Sequence, residues 1–169
     1  LCLGSRQLHL QNFRIPQTPE EELEKVLQRE AATRLPFPAE EAEVRFLEAG
    51  TIQYGQNERR EMVLLASPKN EIQRLIDIAS QAGLQPTAID AQPVALMRCY
   101  TSQFRRTEDE GCCTMIVHVG TSQSMAVLFE GGKPLFIKAI GVSGEDFDNA
   151  VAQRLNMTSK EASILRRYN

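Results

Sequence analysis

The chain has 169 residues, enough to bury a real core as one large or two small domains. Its 24% charged and 42% apolar residues are ordinary for a globular protein, and a net charge of −3 gives no general attraction to nucleic acid or anionic lipid. No apolar run approaches the about 20 residues that span a bilayer, and no signal peptide opens the chain. The expectation is therefore a soluble, intracellular α/β protein. The absence of a starting Met predicts a fragment of something longer.

Leu8 to Ile15 reads as a strand. Thr18 is expected to cap a helix whose first position is Pro19, with Glu21 completing a capping box. Leu23, Val26, Leu27 and Ala31 make its apolar stripe, and Pro36-Phe37-Pro38 must end it near Leu35. Val44–Leu47 and Thr51–Tyr54 read as two short strands around Gly50. Met62–Ala66 reads as a third. Ser67-Pro68 opens a second helix with Ile72, Leu75, Ile76 and Ala79 inward, closed by Gly83. Thr87–Ala91 reads as a strand, and Pro93 starts a helix to about Gln103. Arg105 to Gly111 is polar and reads as a linker or exposed loop.

Three closely spaced strands follow: Cys113–Val119, Ser124–Glu130 and Pro134–Ile140. Gly131-Gly132 is a hairpin signal between the last two. Gly144 precedes a helix to Leu155, and Thr158-x-x-Glu161 caps a final one. The element order predicts two α/β subdomains meeting near residues 105–112.

Cys2, Cys99, Cys112 and Cys113 lack C-x-x-C spacing and only two histidines are present, which argues against zinc. Neighbouring Cys112 and Cys113 are poorly placed for a mutual disulfide, so reduced, partly buried thiols are expected. No histidine lies near a cysteine with an orienting partner, so no catalytic thiol is evident.

Three segments together resemble the actin-like superfamily, and within it the PilM family of type IV pilus assembly. They are Arg29–Pro38 with its Pro-Phe-Pro exit, Met62–Arg98 with its Ala-Gly-Leu-x-Pro turn, and Met115–Leu155 with a hairpin followed by Ser143-Gly144-Glu145. The resemblance implies an α/β, actin-like (ribonuclease-H-like) fragment with an inserted small α+β subdomain of the FtsA/PilM type. Residues 1–104 would hold part of the first large subdomain, including the insert at about 8–90. Residues 105–112 would be the linker, and 113–169 the start of the second subdomain.

The same resemblance points to a nucleotide site. Gly120, Thr121 and Ser122 would form the bend of the second phosphate hairpin, while His118 stands where the family carries Asp. Imidazole is a poor ligand for Mg²⁺, which prefers oxygen, so a polar turn with a half-buried His118 is the favoured reading for this chain. Gln92 matches the position that orients an attacking water; capping of the next helix is an equal alternative. Gly144 would approach the nucleotide, or start a helix. Arg166 would keep a positive charge near adenosine, although Ser163 replaces the Glu that holds ribose. The Asp-x-Gly-Ser loop and the late glycine-rich segment are not visible. ATP and Mg²⁺ are thus admitted for a full-length protein and not expected for this chain alone.

The expected function is a non-catalytic cytoplasmic scaffold in a pilus assembly complex, gripping the amino-terminal peptide of a PilN-like inner-membrane protein. Phe37 on its rigid Pro-Phe-Pro segment is the candidate partner-binding residue, and membrane association would run through the partner only. An active actin-like ATPase and an FtsA-like division or filament protein are the alternatives. His9 is read as solvent-facing, and Arg105-Arg106 with Glu108-Asp109-Glu110 as a solvated loop.

Overall fold

A computed structural model describes residues 1–103 and 111–168. The linker read at 105–112, with its charged run Arg105–Glu110, lies almost wholly outside the described residues.

The first sheet has the order β2–β4–β3, all antiparallel, from β2 (His9–Pro16), β3 (Ala42–Tyr54) and β4 (Asn57–Pro68). Strict alternation gives it two apolar faces. Phe13, Ile15, Met62 and Leu64 meet Leu27 and Ala31 of helix α1 (Glu20–Arg34) on one face. Leu10, Leu47, Ala49 and Val63 point to the other.

That second face is covered by the antiparallel sheet β6 (Cys113–Val119), β7 (Ser124–Glu130) and β8 (Lys133–Ile140), together with helix α3 (Gln92–Thr101). Met97, Met125, Val127, Phe129 and Ile137 complete this shared core. The outer edge of β8 is closed by one side chain. Asn12 Nδ2 donates to the Ile137 carbonyl at 2.7 Å, and the Ile137 N–H donates to Asn12 Oδ1 at 3.2 Å. A primary amide thus stands in for a neighbouring strand. Asn12→Ala leaves both backbone groups partly buried and unpaired, and is expected to lower unfolding stability by about 1–3 kcal/mol in a urea titration. An unchanged midpoint would show that water replaces the amide at no cost.

Three further α-helices, two short 3-10 turns and a small parallel pair complete the described chain. The pair is β1 (Cys2–Leu3) with β5 (Asp90–Ala91). Helix α2 (Lys69–Gln81) precedes β5, and α4 (Gly144–Leu155) and α5 (Ser159–Tyr168) follow β8.

Several local expectations are corrected. Thr18 does not cap α1: its hydroxyl donates back to the Pro16 carbonyl, and Pro19, in extended backbone, is itself the cap residue. The two short strands around Gly50 are one strand: the register shifts by one residue between Glu48 and Gly50 (φ 132°), so Ala49 is the extra residue of a bulge and Gly50 still pairs with Glu61 instead of breaking the ladder. The strand read at Met62–Ala66 extends over the whole of β4, and that read at Thr87–Ala91 shrinks to β5. None of the four cysteines is in a disulfide among the described residues, and all four are exposed, not partly buried. The Thr158–Glu161 capping box is present, with Thr158 N–H and hydroxyl donating to Glu161 Oε2 at 2.9 and 2.8 Å.

Candidate functional site

A cleft of about 850 Å³ collects six of the residues singled out in the sequence: Phe37, Gln92, His118, Gly120, Thr121 and Ser122. They come from the exit of α1, the start of α3 and the β6–β7 turn. Three long-range contacts fix the cleft floor. The Ser5 N–H and hydroxyl both donate to Gln92 Oε1, at 3.1 and 2.8 Å. The Gln92 amide is thereby oriented with its NH₂ toward His118, 3.1 Å from Nε2. Since Nε2 receives that donor, the His118 proton sits on Nδ1. Gln92 does not cap α3, whose cap residue Ala91 makes no side-chain bond. Its carbonyl oxygen and one N–H are already committed, so it has little left to orient a water.

The β6–β7 turn is clamped from behind. The amides of Gly144 and Glu145, the first two of α4, donate to the Gly120 and Thr121 carbonyls at 2.8 Å each. A Cβ at Gly144 would lie 3.3 Å from the Gly120 oxygen and 3.6 Å from Arg166 Nη2. Gly144 therefore serves a close backbone approach, and its N–H is spent on the protein. Arg166 is also engaged. Its Nε donates to Asp148 Oδ1 at 2.7 Å and its Nη2 to Oδ2 at 3.3 Å. Gly144 thus supports the turn, Arg166 ties α5 to α4, and neither lines the cleft.

Asp148 is 8% exposed, and the Arg166 guanidinium holds its carboxyl below the usual carboxylate range, with a smaller contribution from the Ser163 hydroxyl. Asp146 is likewise lowered by the Ser143 hydroxyl and N–H, and Glu161 by the Thr158 N–H and hydroxyl. Groups with folded pKa values below their unfolded ones stabilise above the unfolded value and lose that contribution as pH falls through the folded one. The α4–α5 pair should therefore hold steady from neutral pH to about pH 5 and loosen below about pH 4. Asp148→Asn should flatten that acid slope in a melting-temperature series; an identical slope would remove the pair from the account.

The donors here do not fit Mg²⁺. Among the described residues no three of His, Cys, Asp and Glu group closely enough to hold a metal ion. The residue at the expected carboxylate position is His118, and its Nε2 is occupied. His9 is not solvent-facing: it is half-buried, edge-on to Phe37 at 6.3 Å, with Nε2 buried and without a hydrogen-bond partner among the described residues. Phe37 is accordingly half-buried as well.

A second cavity, of about 420 Å³, lies between the first sheet and the β1–β5 pair. Leu47 and Leu65 form its floor, with Leu3, Ile72, Ile89 and Val94 as walls. Glu43 and Arg45 also line it, and the buried Ser67 hydroxyl in its lining has no partner among the described residues. No local pattern along the chain marks it, because the lining comes from β1, β3, β4, β5, α2 and α3 at once. Ser5 and Asp148 were missed for the same reason: their roles depend on partners far along the chain.

The sequence model of type IV pilus assembly protein PilM matches residues 12–169. Among solved structures, the chain is similar to one described as the PilM-PilN type IV pilus biogenesis complex, with 23% identity and a TM-score of 0.77 over 99% of this chain and 49% of that one. It is more faintly similar to the cytoplasmic domain of EpsL, an inner-membrane component of the type II secretion system of Vibrio cholerae. There the identity is 11% and the TM-score 0.50, over 92% of this chain and 54% of that one. The chain thus spans about half the length of these solved structures. At such identities the likeness speaks for the fold, and the family match speaks for descent: this chain belongs to the family of type IV pilus assembly protein PilM and has an actin-like α/β fold.

Proposed function

We propose that this chain acts in type IV pilus assembly as a cytoplasmic scaffold that grips the amino-terminal peptide of a PilN-like inner-membrane protein. The observation that carries this reading is the apolar cavity floored by Leu47 and Leu65. Its aliphatic walls suit an extended segment with alternating apolar side chains. Strand β3, an edge strand of its sheet, lines one side of the cavity and offers backbone partners for such a segment. The buried Ser67 hydroxyl would gain a partner from a peptide backbone. Placement at the inner face of the membrane would come through the partner, since no helix among the described residues is long and apolar enough to cross a bilayer. The division into subdomains around residues 105–112 belongs to the same proposal, with the cavity at the junction of the insert and the first large subdomain.

A second reading, an actin-like ATPase, draws on the cleft that gathers Gln92 and Gly120–Ser122. The committed Gln92 amide and the metal-unfriendly His118 weigh against hydrolysis, so the nucleotide site is read as degenerate. Calorimetric titration with a PilN-type amino-terminal peptide tests the first reading. Saturable binding is expected, weakened on the order of tenfold or more by Ile72→Glu, which places a charge in the apolar wall. Absence of binding to the folded protein would refute it.

A further inference from the structure

We infer that the partner segment docks as a fourth strand on the free edge of β3, and that it carries Lys or Arg at positions facing α1, alternating with apolar residues that enter the cavity. This deepens the scaffold reading and rests on it, but draws on a second surface, the groove between α1 and β3.

The backbone of β3 pairs with β4 alone among the described residues. A side chain shows which of its groups face outward. Arg45 Nη1 donates to the Val44 carbonyl at 2.9 Å and lies 2.7 Å from Glu43 Oε1. A carbonyl reached in this way lies outside the β4 ladder, and alternation gives Phe46 the same outward orientation. A guanidinium laid over an open edge guards it against stray pairing. Here the guard is a light one, since the Arg45 side chain is 72% exposed and that of Glu43 46%. Both faces of the edge are hollow. Arg45 and Leu47 line the apolar cavity, while Val44 and Phe46 line a groove of about 480 Å³ with Glu20, Leu23, Glu24 and Leu27 of α1. A strand added at this edge sets one row of side chains into each, because directly opposed residues share a face.

The chemistry of the groove names the side chain that fits it. Three strands spaced about 4.8 Å apart make a sheet wider than the about 10 Å of one helix, so α1 leaves β3 partly open. Leu23, Val44 and Phe46 are only half-buried there, and Leu27 is buried. Glu20 and Glu24 supply the carboxylates of the lining, while its one guanidinium, Arg45, is already held by Glu43. Glu20 is paired with Arg60 at 2.8 Å. Glu24 has no ion pair among the described residues; its side-chain bond there comes from the Gln28 amide at 3.3 Å. An aliphatic stem ending in a cation suits apolar residues and an uncompensated carboxylate together. A carboxylate in the same place would meet Glu24 with like charge.

The test is calorimetric titration of the full chain with a PilN-type amino-terminal peptide in two versions that differ at one position facing α1, Lys in one and Glu in the other. The Lys version should bind about tenfold tighter at low salt, and the gap should narrow as salt is raised. Glu24 is exposed, and Glu24→Lys should reverse the preference between the two peptides, which a merely destabilised protein would not do. Arg45→Ala should tighten the Lys version by roughly threefold, because the Val44 carbonyl no longer has to be vacated. Equal affinities for the two versions, an unchanged preference in Glu24→Lys, or weaker binding to Arg45→Ala would overturn the inference. A stable dimer of the chain alone, dispersed by Val44→Glu, would put a second copy on the edge and overturn it as well. Equal binding of both versions with the sensitivity to Ile72→Glu intact would leave the scaffold reading standing, whereas no binding of either would remove both, so the two failures are distinguishable.

Discussion

Phe129→Ala is expected to destabilise the chain by about 3–5 kcal/mol, the largest single effect in this molecule. The side chain is 0% exposed and lies in the core shared by both three-stranded sheets, edge-on to Tyr100 at 5.8 Å. Truncation removes the transfer energy of a benzyl group and leaves a cavity between elements that cannot all move in. Part of the loss is the aromatic pair itself, worth about 0.5–1.5 kcal/mol. The form of the loss matters as much as its size. Because Val63 of the first sheet and Val127 of the second belong to the same core, urea unfolding of the variant should stay a single transition at a lower midpoint. Two separated transitions, only one of them shifted, would mean that the sheets are stable independently and that the shared core is not the main tie between them.

Gly120→Ala is the second large effect, and it reaches both stability and the cleft. A Cβ at this position would lie 2.5 Å from the Gln123 carbonyl oxygen, a backbone atom that cannot swing aside as a side chain would. The turn must open. Opening it strains the two 2.8 Å bonds from the Gly144 and Glu145 amides to the turn carbonyls. Overpacking of this kind costs about 1–3 kcal/mol. It should also displace Thr121 and Ser122, which line the cleft. Thermal melting reads the loss, and a variant as stable as the parent would show that the turn is loose and that glycine is incidental there.

Much of this fold was legible along the chain. The stripe Leu23–Ala31 does bury its apolar face, at Leu27 and Ala31, and the alternation of β6–β8 and the Gly131-Gly132 turn give the second sheet as read. These signals are local, set by period and turn chemistry. Where local signals compete, they mislead. Gly50 reads as a strand breaker, yet an extra residue at a bulge fits a long, twisted strand better than two short ones. Thr18 has the right spacing for a cap, but its hydroxyl donates to the Pro16 carbonyl at 3.0 Å and makes no cap bond to α1. The β1–β5 pair joins residues from opposite ends of the first half, which no window of sequence reports.

The cleft was half legible for a similar reason. Gly120-Thr121-Ser122, His118, Gln92 and Phe37 were each singled out locally, and they do meet. What the sequence did not carry was their state. Ser5 lies 87 positions from Gln92, and Gln92 26 from His118, yet these contacts decide that the amide and the imidazole are engaged with each other. Gly144 and Arg166 also reach the region, but their polar groups are spent on the Gly120 carbonyl and on Asp148. The apolar cavity, assembled from six elements, was not legible at all.

The scaffold reading depends on where a partner peptide lands. Methyl-labelled protein, with Leu47, Leu65, Ile72 and Ile89 assigned, can be titrated with a PilN-type amino-terminal peptide and followed by NMR. Saturable shifts at those methyls are predicted, with Met115 and Val117 on the exposed face of β6 unmoved. Shifts confined to β6, or saturation with the four cavity methyls unchanged, would contradict the account.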